Sequence, residues 1–204
     1  MRKRLRWVYL VASLLLLASC ASTKVVDQWA DPGFEERLQN VMVLSLNQSE
    51  KSRRFFEDKF LKALKHSGIR SSVSYKLLPD YVDLNKAKVK AAIAGSDIDA
   101  VLVLREVKIT RNETYRQVEA PGARDNFYHY VGSYGAASAV ETVEDTVVHL
   151  ESNLYAVTGA QLIWSGKAES ENPKDRQTAV NAMAEKIVEA LVRTGFIRKT
   201  AESP

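Results

Sequence analysis

Between Ile98 and Leu104 nearly every residue is apolar. A run that short and that continuous fits a central strand covered on both faces. Two helical patterns precede it, and each follows a short strand-like run. Val41 to Leu46 reads as a buried strand. Ser49 to His66 has helical period, with Phe56, Phe60, Ala63 and Leu64 on one face. Lys62 and Lys65 sit near its end, where cations suit the helix dipole, and Gly68 supplies the stop. Ile69 to Leu77 reads as a second strand, closed by Leu78-Pro79-Asp80. Asp83 can cap a second helix with Leu84, Ala87, Ala91 and Ala94 inward, ended by Gly95. The first half is therefore β-α-β-α-β. Right-handed crossovers make its strands parallel, and the expected class is α/β, bordering on α+β.

After Leu104 the pattern becomes polar, with Val107, Ile109 and Tyr115 on one face. Strand character returns over 141–157, with Val148, Leu150, Leu154 and Ala156 in step. A Thr158-Gly159 turn leads into 161–169, where Leu162 and Trp164 are expected to share a face. These segments predict two antiparallel hairpins added to the parallel strands, giving a mixed sheet. The first hairpin is long, with its tip at 119–140. Its rising arm carries Lys108, Arg111 and Arg116, and its returning arm carries Glu141, Glu144, Asp145 and Glu151. Opposite charges facing each other across a ribbon contribute roughly 0.2–1 kcal/mol per pair, so this division of sign supports the pairing. A closing helix follows, with Asn172-Pro173 as cap and first residue, and Val180, Met183, Ala184, Ile187 and Leu191 as its apolar stripe. Gly195 stops it, Phe196-Ile197 tucks back under the sheet, and 199–204 is a polar tail.

The N-terminus is of a different kind. Arg2, Lys3, Arg4 and Arg6 precede an uncharged apolar run from Trp7 to Ala18. That run is shorter than the roughly 20 residues a membrane span needs, and it has the form of a secretory signal. The ending Leu17-Ala18-Ser19-Cys20 is similar to the lipobox of bacterial lipoprotein signals. The resemblance implies cleavage after residue 19, diacylglycerol on the Cys20 sulfur and acylation of its new amine. A single acyl chain holds a protein to a membrane only marginally, whereas a triacylated cysteine holds it stably. By resemblance to the sorting rule of enteric bacteria, Ala21 in place of Asp implies the outer membrane, with the domain in the periplasm. The expected organisation is a signal over 1–19, a lipidated tether over 20–40 and a single domain over 41–198. Within the tether, Val25, Asp27 and Trp29 alternate in strand fashion before the Asp31-Pro32-Gly33 turn, and Trp29 is expected to cap the core.

Charge needs the same division. The formal +4 comes from 29 basic and 25 acidic residues. Four of the basic residues lie in the signal, and removing them leaves 25 against 25. The mature chain therefore lacks the basic footprint of a nucleic-acid binder. Cys20 is the sole cysteine, which leaves no internal disulfide and no thiol nucleophile.

Several segments resemble a group of small bacterial envelope lipoproteins, many of unassigned function. They are 24–32 (Lys24 to Pro32), 54–57 (Arg54 to Glu57), Ser74-Tyr75, Asp99 to Val103, Asn153-Leu154-Tyr155, Thr158-Gly159 and Ile163-Trp164-Ser165. The layout is more distantly similar to the TolB N-terminal domain and to the periplasmic domains of the penicillin-binding-protein activator lipoprotein and the curli secretion lipoprotein. Those proteins act by binding other proteins. The resemblance implies a fold, and fold alone is a weak warrant for function.

No constellation in the chain specifies a reaction. His66, His129 and His149 fall on a helix end, a loop and a strand, without ligand spacing. Glu141, Glu144 and Asp145 read as a solvated strand face rather than an acid pair or a calcium site. Asn47-Gln48-Ser49-Glu50 lacks the glycines that cradle phosphate, and no Gly-x-Ser-x-Gly elbow is present. No cofactor or metal is expected. The strongest candidate contact is the hairpin tip, where Phe127, Tyr128, Tyr130 and Tyr134 stand among glycines without aliphatic company. Tyrosine suits binding surfaces because it offers rigid area and a hydroxyl. The expectation is a non-enzymatic interaction or assembly module anchored through Cys20, with an envelope protein as partner. The alternative is a small-ligand or cell-wall-binding domain that uses the strand ends.

Overall fold

The computed structural model describes residues 22–47, 49–79, 86–117 and 140–199. Six strands form one mixed sheet: β1 (Ser22–Ala30), β2 (Asn40–Ser45), β3 (Arg70–Val73), β4 (Ala100–Gln117), β5 (Val140–Ala156) and β6 (Gln161–Glu171). Their order is β1-β6-β5-β4-β2-β3. Among the described residues three α-helices accompany them: α1 (Glu50–His66), α2 (Lys86–Ile93) and α3 (Arg176–Thr194). β2 runs parallel to both β3 and β4, while β4-β5-β6-β1 are antiparallel throughout. The sheet is thus a parallel half and an antiparallel half joined at β4.

The parallel half forms as its apolar pattern requires. β2 is buried along its whole length. Phe56, Phe60 and Leu64 of α1 pack with Val41, Val43 and Leu102 on one face. On the other face Met42, Leu44, Ile98 and Val101 form a smaller cluster with Ile93 of α2. Ser49 caps α1, accepting a hydrogen bond from the Ser52 amide at 3.2 Å. Beyond the helix, Gly68 takes φ 73°, which only glycine adopts without penalty.

α3 lies beside α1 and covers the inner face of the antiparallel half. Val180, Met183, Ala184, Ile187 and Leu191 are all buried, as their spacing predicts. Trp164 of β6 is the largest fully buried side chain. Its ring lies over Gly166, where a Cβ would fall inside the van der Waals envelope of the indole. The chain end closes back: Leu38 bridges Ile197 in parallel, and Phe34 meets Phe196 edge-on at 5.3 Å between ring centres.

Several expectations are corrected. The second strand is only Arg70–Val73, because Ser74–Lys76 turns into a single 3-10 turn. α2 presents Val89 and Ile93 to the sheet side, while Ala87, Ala91 and Ala94 are exposed. Alanine spacing misidentified the face because the two branched residues have more area to bury. The cap of α3 is Asp175, whose Oδ1 accepts from the Thr178 amide at 2.7 Å. Asn172 has φ 45° and bonds Thr146 instead, so Pro173 lies outside the helix. Two bulges invert side-chain parity. One between Leu154 and Tyr155 pairs Trp164 with Leu154 but Leu162 with Tyr155, so Leu162 and Trp164 do not share a face. One between Val25 and Asp27 leaves Trp29 48% exposed rather than in the core. Residues 22–30, taken as part of a tether, pair along β6 as an edge strand.

Candidate functional site

The two long antiparallel strands set the geometry of the candidate surface. β6 stops pairing with β5 at Glu171, opposite Val147. Asn172 closes that end: its amide donates to the Thr146 carbonyl at 2.8 Å and its Oδ1 accepts from the Thr146 amide at 2.9 Å. Beyond this clamp, among the described residues, β4 and β5 pair only with each other, from Arg111 opposite Thr146 to Gln117 opposite Val140. At about 3.4 Å per residue the seven residues 140–146 carry this two-stranded ribbon roughly 24 Å past the sheet. Within it Arg116 stands opposite Glu141, as the division of charge predicts, but Glu113 stands opposite Glu144 and Asn112 opposite Asp145.

The outer face of the antiparallel half carries an ordered row of charges. Register places Asp27 beside Lys167, Lys167 beside Glu151, and Glu151 beside Arg105. Arg105 Nη2 donates to Glu151 Oε2 at 2.7 Å, and Asn153 Nδ2 donates to Glu151 Oε1 at 2.9 Å. The Asn153 bond, with the Arg105 bond next, holds the Glu151 carboxyl below its ordinary range. One row along, Lys24 bonds Glu171 at 2.6 Å, which raises the ammonium above its ordinary value. His149 belongs to this face. Its Nδ1 lies 3.0 Å from Glu169 Oε1 without forming a hydrogen bond. Its Nε2 lies 3.4 Å from Thr110 Oγ1.

Two depressions flank β4. One lies at the carboxyl ends of β2 and the core part of β4, beside the start of α1. Leu46, Asn47, Ser49, Ser52, Arg105 and Glu106 line it. Several of its polar groups already have partners: Ser49 caps α1, Arg105 holds Glu151, and Glu106 accepts from Arg176 at 2.6 Å. The other is an open groove of about 940 Å³ under α2, at the opposite end of the sheet from the ribbon. Leu44, Val89, Ile93, Val101, Val103 and Tyr155 make it apolar, with Lys90 on its lining.

The most polar buried cluster is structural. Glu57 and Arg53, one turn apart on α1, are fully buried and paired at 3.0 Å. Glu57 also accepts from Ser74 Oγ at 2.6 Å and from the Ser45 and Tyr75 amides at 3.1 Å each. Arg53 donates to the Leu78 carbonyl at 2.9 Å and to Ser74 Oγ at 2.7 Å. This network ties β2, α1 and the 3-10 turn together.

Cys20, Phe127, Tyr128, Tyr130, Tyr134 and His129 lie outside the described residues. His66 is exposed at the end of α1. Glu144 and Asp145 occupy adjacent levels of the ribbon, and Glu141 a level three residues from Glu144. Among the described residues no group of three His, Cys, Asp or Glu stands close enough to hold a metal, and no helix is long and apolar enough to cross a membrane. Sequence reasoning missed the charge row and the groove. Alternation hints at the first, since Lys167 and Glu169 both alternate with apolar or small neighbours. The groove depends on where α2 lies, which no local pattern encodes.

The fold and this surface define a mixed α/β domain whose long β4–β5 ribbon overhangs one end of its sheet. No family model and no characterised protein sequence matches the chain. Among solved structures it is similar to a variant of the PelC dodecamer from Paraburkholderia phytofirmans. The two are 12% identical with a TM-score of 0.48, over 84% of this chain and 98% of that one. It is also similar to lipoprotein GNA1162 from Neisseria meningitidis, 13% identical with a TM-score of 0.40, over 76% of this chain and 96% of that one. At this distance the likeness concerns chain layout and carries nothing about activity.

Proposed function

We propose that the protein is an envelope lipoprotein anchored through Cys20 that acts as a non-enzymatic interaction or assembly module. The supporting observation is the ribbon formed by 111–117 and 140–146, which continues past the last β6 pair with no third strand beside it among the described residues. A two-stranded projection buries little apolar surface and contributes little to the domain's own stability. Its ends, Gln117 and Val140, are joined by the segment 118–139, whose sequence holds Phe127, Tyr128, Tyr130 and Tyr134. In-cell crosslinking of the lipidated protein, followed by mass spectrometry, should capture one dominant envelope partner. Replacing the four aromatics with Ser should abolish that capture. Unchanged capture by the replaced protein would falsify the contact.

A second reading, a small-ligand domain, rests on the apolar groove beneath α2. The groove is open, and Lys90 and Ser96 are among the few polar side chains on its lining. An apolar ligand with an acidic group would suit it. Binding of a medium-chain fatty acid that is lost in Val103→Glu would favour this reading over the first.

A further inference from the structure

The position of the ribbon relative to the chain's N-terminal end has a geometric consequence. β1 is antiparallel to β6, and β6 is antiparallel to β5, so β1 and β5 run in the same direction. Ser22 and Val147 both stand opposite Glu171. The chain therefore enters the sheet at the end from which the ribbon projects. Cys20 lies two residues before Ser22, so it is at most about 7 Å away along a fully extended chain. The ribbon reaches roughly 24 Å in that direction.

Resting on the anchored reading proposed above, these two lengths conflict for an upright domain. With acyl chains on Cys20 in the bilayer, an upright ribbon would overrun the anchor by roughly 17 Å. The headgroup layer on each side is only about 5–8 Å deep, so the ribbon would enter hydrocarbon. That is forbidden on two grounds. A two-stranded ribbon leaves backbone groups unpaired along both edges, and lipid offers them no partner. Charged residues also occupy adjacent levels, Asp145 at one and Glu113 with Glu144 at the next, and adjacent levels serve opposite faces.

We propose that the domain reclines, so that the ribbon 110–117/140–147 lies along the membrane surface in the headgroup layer. The occupant of this surface is the lipid headgroups themselves. The ribbon's sequence carries both signs, Arg111 and Arg116 on one strand and Glu141, Glu144 and Asp145 on the other, as a zwitterionic headgroup layer does. The groove under α2 lies at the other end of the sheet, away from the ribbon.

The test uses the full-length acylated protein in phosphatidylethanolamine–phosphatidylglycerol vesicles. Acylated Cys20 leaves an added thiol unique, so spin labels go on Thr114→Cys, Thr142→Cys and, at the opposite end, Ala94→Cys. Accessibility to oxygen and to a water-soluble nickel chelate reports depth. The labels at 114 and 142 should lose chelate accessibility on vesicle binding and report headgroup depth, and should lose more of it than the label at 94. Labels at 114 and 142 that keep the accessibility they have without vesicles would overturn the reclining geometry. So would labels deep in hydrocarbon, which would mean a spanning ribbon. Mass spectrometry of the N-terminal peptide separates the two layers of the proposal. A chain recovered from membranes without acyl groups on Cys20 refutes the anchor, and the reclining geometry with it. An acylated chain with a water-exposed ribbon refutes the geometry alone.

Discussion

Two glutamates show how differently the halves of the sheet are held. Glu57, beside the parallel strands, is fully buried and takes bonds from Arg53, Ser74 and the Ser45 and Tyr75 amides. Glu151, on the antiparallel half, remains 31% exposed and takes bonds from Asn153 and Arg105. A buried charge pair gains little over a well-packed apolar pair, but removing one member strands the other without solvent. An exposed pair is screened and contributes little either way. The parallel half is covered on both faces and behaves as interior. The antiparallel half has one face in water, and its charges arrange a surface.

The first way to break the comparison is at Glu57. Glu57→Ala leaves the Arg53 guanidinium buried without its carboxylate, at an expected cost of about 3–5 kcal/mol. Urea denaturation measures this directly. A loss under about 1 kcal/mol would place the two glutamates in the same class and remove the distinction.

The second prediction concerns the core of the antiparallel half. In Gly166→Ala the new methyl overlaps the Trp164 ring, which is itself fully buried against α3. Forcing that side chain from its position should cost roughly 1–3 kcal/mol, with a change in the near-ultraviolet signal of Trp164. Loss of stability without that spectral change would mean the strain is taken up in the backbone instead.

These packing relations mark the limit of what local sequence conveys. Stops and stripes were legible where one residue type has one physical role: Gly68 after α1, Gly195 after α3, and Val180 to Leu191 along α3. Parallel crossovers, the two hairpins and the pairing of Arg116 with Glu141 also followed from pattern. What failed was whatever depends on counting through an irregularity. Each bulge moves later side chains to the other face, so Trp29 and Leu162 were assigned the wrong environment although both strands were recognised. The inward face of α2 failed for a related reason. Three alanines in register suggested a face, but burial favours the larger Val89 and Ile93. The start of α3 failed because Asn172 has two competing uses, and pairing with Thr146 across the strand end took precedence over capping. As to the candidate surface, the ribbon was legible, but of the basic residues named on its rising arm only Arg116 stands opposite a named acid, Glu141. The ribbon's alignment with the N-terminal end of β1 was not legible, because that requires the register of three strands at once.

A third and smaller effect tests the hairpin that joins β5 to β6. Ala160 holds φ 51°, next to Gly159 at 73°. A Cβ in the left-handed region costs up to about 1 kcal/mol. Ala160→Gly relieves that strain but adds freedom to the unfolded chain, so the expected gain is only a few tenths of a kcal/mol. A raised melting temperature would confirm that this turn is strained. A clear fall would show that the Ala160 methyl packs against the β5–β6 turn or the groove it borders.

The smallest expected effect returns to Glu151. Its folded-state carboxyl sits below the ordinary range, held there first by Asn153 and then by Arg105. A group depressed on folding adds stability above its unfolded value and loses it as pH falls through the folded value. Because Arg105 is 60% exposed, solvent screens the pair and the whole contribution should stay below about 1 kcal/mol. Glu151→Gln should therefore be slightly less stable than the parent at neutral pH. The gap should close as pH drops below the ordinary carboxylate range near 4. Denaturation curves for both proteins, collected from neutral to acid pH, measure the gap. If it stays constant into acid, the side chain matters through shape rather than charge, and the charge row on the open face is not what orders Asn153 and Arg105. If it exceeds that of a screened pair, the outer face is drier than its exposure indicates. The division between an interior half and a surface half would then need to be redrawn at β5.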